Sequence, residues 1–256
     1  MFAFGLIGFL DDFLKIKHKK NLGLRPYQKI IGQALISIII AVFVYLSPLI
    51  PNEIRLPFSQ KWINLSWGII PFVVFVFLAT TNAVNLTDGL DGLAGGVSCV
   101  YLMGFFTILQ LSIFKTTNQA FALELENLSL LCAISIGSLF AYLCFNSFPA
   151  KIFMGDTGSL ALGALITCLA IFSGLELFIV FIGVMFVAST VSVILQVVYF
   201  KLTKGKRIFL MAPLHHHFEK KGVNETKIVT IYFIITAVVC VLTVLLEIKF
   251  GGALNV

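Results

Sequence analysis

Residues 67–92 read WGIIPFVVFVFLATTNAVNLTDGLDG, and their reading decides the architecture. The stretch 67–84 carries no charge and, at 1.5 Å rise per residue, is long enough as a helix to cross most of a hydrocarbon core of about 30 Å. In lipid every backbone N–H and C=O needs an internal partner, so an apolar run of this length without a barrel strand's alternation is a helix. It then breaks into amides, glycines and two acids, Asp88 and Asp91.

The same alternation of apolar run and polar break recurs outward in both directions. Runs near 30–50, 67–84, 93–114, 128–146, 158–174, 175–200 and 228–248 give seven predicted spans. Composition agrees, with 59% hydrophobic residues and 12% charged residues in 256, against roughly a quarter charged in soluble domains. Mean hydropathy is +1.02. The expected fold class is all-α: a polytopic transmembrane helical bundle of seven full spans plus a partial first span, forming one membrane domain over 1–256. The partial span is Met1–Leu10, too short to cross and without a basic leader or cleavage site, so it reads as the tail of a helix rather than a signal peptide.

Cys99, Cys132, Cys144, Cys168 and Cys240 all fall in apolar runs without a CxxC pair, and read as small core hydrophobes. The net charge of +6 comes from basic residues beside spans, where lipid and orientation explain it, and gives no nucleic-acid signal. Counting crossings with the first loop inside puts fourteen of the 18 Lys and Arg on one side, including Lys19, Lys20, Lys29, Lys151 and Lys204. Arg55, Lys61, Lys115 and Lys249 fall on the other, as does an acidic loop with Glu124 and Glu126. The positive-inside rule makes the basic side cytoplasmic. All five aspartates, Asp11, Asp12, Asp88, Asp91 and Asp156, lie in polar breaks on that same side.

Four strings on this face carry chemistry. Asp11, Asp12 and Lys15 form DDxxK, in which paired carboxylates and an ammonium suit a hard divalent ion and a phosphate; ordinary interfacial charges at a helix end are the alternative. Asn82, Asn85, Asp88 and Asp91 recur every three residues among glycines, a spacing that makes one polar edge on a helix end, or else a polar turn capping the next helix. FMGDTGS sets Asp156 at a predicted helix start, beside backbone N–H donors that favour an anion; Thr157 or Ser159 could cap that helix, or Asp156 could itself be a plain N-cap. PLHHHFE places His215, His216 and His217 in the longest polar loop, where imidazoles can hold a diphosphate, orient a ligand or donate a proton. Three consecutive histidines do not readily surround one zinc ion, and His18, alone in a lysine run, reads as solvated surface.

These strings, in this order, resemble the polyprenyl-phosphate N-acetylhexosamine-1-phosphate transferase family over nearly the whole chain, and PLHHHFE narrows the resemblance to the peptidoglycan branch. The resemblance starts at the family's third helix, so the family's first two helices have no counterpart here. It implies a catalytic acidic pair at Asp11 and Asp12, a Mg²⁺ site at Asp156, and an essential histidine loop at His215, His216 and His217. It also implies that Lys15, Asn82, Asn85, Asp88, Asp91, Asn146, Phe153 and Gln196 bind substrate. The implied partners are UDP-MurNAc-pentapeptide and undecaprenyl phosphate in a bacterial inner membrane, with a cytoplasmic active site and a homodimer as the expected assembly. An N-acetylglucosamine-phosphate transferase is the nearest rival. A transporter is the non-enzymatic one, although acids at span ends and the lack of an inverted repeat argue against it.

Overall fold

The computed structural model describes residues 1–18, 23–48, 50 and 52–251, with the His18 side chain excepted. Lys19 and Lys20 of the basic flank lie outside the described residues, as does the side chain of His18. The chain folds as α1 (Phe2–His18), α2 (Pro26–Leu46), a hairpin of β1 (Glu53–Arg55) and β2 (Trp62–Asn64), α3 (Ile69–Thr87), α4 (Leu93–Lys115) and α5 (Gln119–Asn146). It continues with α6 (Gly155–Phe172), α7 (Phe178–Ile182), α8 (Val184–Leu202), α9 (Leu214–Lys220) and α10 (Glu225–Phe250). Among the described residues seven helices are long and apolar enough to cross a membrane: α2, α3 with its leading 3-10 turn, α4, α5, α6, α8 and α10. The expected all-α bundle of seven spans is what forms.

Three departures from the sequence reading have physical causes. The apolar run 175–200 is not one helix. It begins as the short α7 and restarts as α8 after Gly183, whose ψ of 24° leaves the helical range although its N–H still bonds the Ile179 carbonyl. Asp11 and Asp12 mark a break in hydropathy but not in structure, because α1 runs on through both to His18. Each acid finds partners outside the helix, so its charge does not end the backbone ladder. The 53–64 segment, unassigned in the sequence, closes as an antiparallel hairpin in the register Glu53↔Asn64, Ile54↔Ile63 and Arg55↔Trp62.

Packing follows the small residues. Helix α1 lies on α6, α6 on α3 and α3 on α2, while α4 packs against α5 and α10. In lipid, helices gain little from hydrophobicity and associate through close van der Waals contact, which small residues permit. At Gly8 the approach is closest: a Cβ there would stand 2.2 Å from the Asp156 carbonyl oxygen. Asp11 and Asp12 follow one turn later, so this contact sets them against the start of α6. The far end of the bundle holds a second polar cluster. There the buried Arg55 of the hairpin pairs with the buried Glu247 of α10, and Lys115 donates to the Glu247 carbonyl at 2.8 Å.

Candidate active site

Asp11, on α1, is only 2% exposed. Its Oδ1 accepts from the Leu24 N–H at 2.6 Å, and its Oδ2 pairs with Lys15 Nζ at 2.6 Å and Lys29 Nζ at 3.5 Å. Asp12 reaches α6, where its Oδ2 accepts from both the N–H and the hydroxyl of Thr157, at 2.9 and 2.8 Å. Asp156 stands in the first turn of α6 and splits its carboxylate. Oδ1 accepts from Asn85 Nδ2 at 2.8 Å, and Oδ2 takes Lys29 at 2.6 Å and Lys15 at 3.0 Å. It is therefore not an N-cap. The helix begins after Met154 without a side-chain cap, and of the two expected capping residues Thr157 is turned to Asp12 while the Ser159 hydroxyl donates to the Gly155 carbonyl.

One oxygen from each of Asp11, Asp12 and Asp156 lies within 4.8 Å of the others. Three carboxylates this close repel one another strongly in a partly desolvated site, and the two lysines offset part of that repulsion. Burial works against the charge on Lys15, but hydrogen bonds and attraction from Asp156 and Asp11 outweigh it and hold its pKa above the ordinary lysine value. A cavity of about 690 Å³ adjoins the triad, lined by Asp11, Lys15, Lys29, Asn82, Asn85 and Asp156 among others.

The amides and acids of the 82–91 string do not form one edge. Asn85 also donates to Ser159 Oγ at 2.9 Å, whereas Asn82 turns to α2 and donates to Gln33 Oε1 at 2.7 Å. Asp88 caps α3, and burial, with the Asp156 and Asp12 carboxylates nearby, pushes its pKa up to about 7. A carboxyl there exchanges its proton near neutral pH. Asp91 instead fastens loops: its Oδ2 accepts from the Ala150 N–H at 2.8 Å, and its own N–H donates to Glu225 Oε1 at 2.7 Å.

The histidine string folds as α9 and meets the same region through Gly89, next to Asp88. A Cβ on Gly89 would lie 2.3 Å from His215 Nε2 and 3.1 Å from His216 Nε2, so only glycine lets the two loops approach this closely. His215 is fully buried, and among the described residues neither ring nitrogen has a hydrogen-bond partner. Burial, with His216 beside it, lowers its pKa to about 4, so at neutral pH it is an uncharged imidazole with an N–H to offer and not an acid. His216 Nδ1 pairs with Glu219 at 2.8 Å, and His217 Nδ1 accepts from the Leu210 N–H at 3.1 Å.

The other expected substrate residues sit apart from the triad's own bonding. Asn146 braces the backbone, accepting from Gly92 N–H at 3.1 Å and donating to the Ile152 carbonyl at 2.8 Å. Gln196 Oε1 accepts from the N–H groups of Ile208 and Phe209, at 3.1 and 2.8 Å, and so holds the loop before α9. Phe153 is 73% exposed.

Sequence reasoning placed Lys29 only in the basic flank, although it makes the shortest contact to Asp156. A signal was present: Lys29, Gln33 and Ser37 recur every four residues along a helix that is otherwise apolar beyond its first turn, a polar stripe that must face something other than lipid.

Residues 1–174 match the family described as Glycosyl transferase family 4. The chain belongs to this family. This member is 48% identical over 250 residues to the phospho-N-acetylmuramoyl-pentapeptide-transferase of Clostridium novyi (strain NT), covering 98% of this chain and 73% of the relative. It is 49% identical over 242 residues to the protein of the same name from Clostridium botulinum (strain Eklund 17B / Type B), covering 94% and 70%. The corresponding protein of Clostridioides difficile (strain 630) is 44% identical over 243 residues, covering 95% and 72%. For this family 4 glycosyl transferase, the conjunction of an acidic triad, two lysines and a buried imidazole at one end of a multi-pass bundle is the arrangement to be explained.

Proposed function

We propose that this chain transfers phospho-MurNAc-pentapeptide from UDP-MurNAc-pentapeptide to undecaprenyl phosphate, releasing UMP and forming the lipid-linked diphosphate of peptidoglycan synthesis. The observation that carries the reading is the convergence of Asp11, Asp12, Asp156, Lys15 and Lys29 beside a cavity at one end of a bundle of membrane-length helices. A water-soluble nucleotide and a lipid-borne phosphate can meet only at such an end. Relatives at 44–49% identity bear the name of that transferase. The positive-inside count supports a cytoplasmic site in the inner membrane, and a homodimer is the expected assembly.

In the reaction a lipid-phosphate oxygen attacks the phosphorus bearing the sugar. A new P–O bond forms, the P–O bond to the uridylate oxygen breaks, and UMP leaves with that electron pair. The main obstacle is repulsion between two anions. Lys15 and Lys29 supply fixed positive charge where they meet, and the neutral His215 offers an N–H to an oxygen that gains charge. A phosphate monoester has a second pKa near 6 and is mostly ionised at neutral pH, so no strong base is required. Asp11 or Asp12 then positions the attacking phosphate or removes a residual proton, which favours direct attack over an aspartyl-phosphate route.

The triad fits Mg²⁺: three hard oxygen donors lie within 4.8 Å of one another, at least one of them buried, next to a cavity that admits phosphate oxygens. Asp156, with Asp11 and Asp12, would hold the ion, which when bound neutralises diphosphate charge and fixes an in-line geometry. For the acceptor's apolar chain, a second groove of about 310 Å³ lies between α3 and α8, lined along α3 as far as Ala83, one turn before that helix ends at Thr87.

UMP release from UDP-MurNAc-pentapeptide by purified protein with undecaprenyl phosphate tests the reading, with UDP-N-acetylglucosamine as competitor and Asp156→Asn as the site variant. Release should require both substrates, resist the competitor and vanish in the variant while it stays folded. Full activity in Asp156→Asn, or preference for the competitor, would sink it.

A further inference from the structure

The groove between α3, α7 and α8 contains more than the path of an apolar chain. Its walls are side chains such as Phe72, Phe75, Val76, Phe186 and Ile194. Phe75 and Ile194 are exposed at its rim, so it opens sideways, toward lipid for helices of membrane length. Glu176 and Thr190 also line it. Glu176 is 3% exposed, and among the described residues neither of its carboxyl oxygens has a hydrogen-bond partner on another residue; the Thr190 hydroxyl also has none.

A buried carboxyl without partners is unfavourable in either form. The neutral acid lacks an acceptor for its proton, and the ionised form lacks a counter-charge. Among the described residues no lysine, arginine or histidine lines the groove to supply one. A ligand that enters from the membrane and completes this site must bring an apolar chain for the walls and a basic nitrogen for the acid.

We propose that this groove binds single-chain amphiphiles bearing a primary amine, with the alkyl chain between α3 and α8 and the nitrogen on the Glu176 carboxyl. An amine entering uncharged takes the carboxyl proton on binding, which leaves an ammonium–carboxylate pair with no net change of charge. The Thr190 hydroxyl accepts a remaining N–H. Charge-assisted hydrogen bonds are about twice as strong as neutral ones, so the amine outranks an alcohol of equal length. Binding does not depend on the transfer reaction; only its consequence, exclusion of the polyprenyl acceptor from the same groove, rests on the function proposed above.

The test uses the purified full chain in detergent with n-dodecylamine as probe and n-dodecanol as the matched control, both measured by native mass spectrometry. Dodecylamine is expected to bind about tenfold more tightly than dodecanol. Glu176→Gln should erase that preference while leaving dodecanol binding intact, and Thr190→Val should weaken dodecylamine alone. Equal binding of the two probes, or an undiminished preference in Glu176→Gln, overturns the proposal. If Glu176→Gln does not fold, Val191→Trp decides: it adds bulk to the groove from α8 and leaves Glu176 itself in place, and a dodecylamine adduct that survives it overturns the assignment. Competition against undecaprenyl phosphate is read separately. Selective dodecylamine binding without competition supports the amine site and refutes the acceptor's path through this groove.

Discussion

Replacing Gly8 with alanine would put a methyl group where the chain leaves no room. Its Cβ would stand 2.2 Å from the Asp156 carbonyl oxygen, 2.4 Å from the Asp156 carbonyl carbon and 2.6 Å from Thr157 Cα. Ordinary contact needs about 3.5 Å, so α1 and α6 must part by roughly 1 Å. Every obstructing atom is backbone, and no rotamer change relieves the clash. One turn further along α1, Asp12 holds the Thr157 N–H at 2.9 Å, so the same displacement opens the acidic triad. A misplacement of about 1 Å costs about 10²-fold in rate, and overpacking costs about 1–3 kcal/mol in stability. Helix propensity has the opposite sign, since alanine is better than glycine by about 1 kcal/mol in a helix interior. The clash outweighs it. UMP release and thermal unfolding of Gly8→Ala measure both terms, with Gly5→Ala as control because its Cβ would stand near ordinary contact, 3.3 Å from the Ala161 methyl and 3.5 Å from the Thr157 carbonyl oxygen. A Gly8→Ala protein with parental turnover and a raised Tm would refute the argument that this contact sets the site.

Three further outcomes are expected. Lys29→Met removes a charged hydrogen bond to Asp156, a loss of about 1.5–3 kcal/mol or roughly 10- to 150-fold in kcat/KM, read by UMP release. Asp88 has a folded pKa of about 7, above the ordinary 3.8, so between those values the folded state binds the extra proton and stability falls as pH rises. Denaturation in chelator from pH 4 to 7 should show this slope, on the order of 4 kcal/mol in total, and Asp88→Asn should flatten it. Glu247→Ala strands the buried Arg55 charge and should cost about 3–5 kcal/mol by denaturant unfolding, while Glu247→Leu with Arg55→Met recovers most of it.

Much of the site was legible because its acids interrupt apolar runs, and a charge at a span end stands out against 59% hydrophobic residues. Asp11, Asp12 and Asp156 do converge. The period-three string misled in part. Asn82 and Asn85 share a helix, but Asp88 ends it and Asp91 lies beyond, so equal spacing in sequence became different directions in space. Lys29 was hidden in a basic flank, where lysines are expected for orientation alone.

The amino-acid sequence by itself determined the spans, their order and the face on which the acids gather. Transfer of a residue into lipid is a local cost, summed along a helix whose backbone satisfies itself. Only the tertiary structure decided that α1 meets α6 at Gly8, that Lys15 and Lys29 both reach Asp156, that His215 is buried beside Gly89, and that Arg55 is neutralised by Glu247 some 190 residues away. Each of these depends on the distance between helices that are remote in sequence. That distance is fixed by close packing of small residues, and no hydropathy pattern carries it.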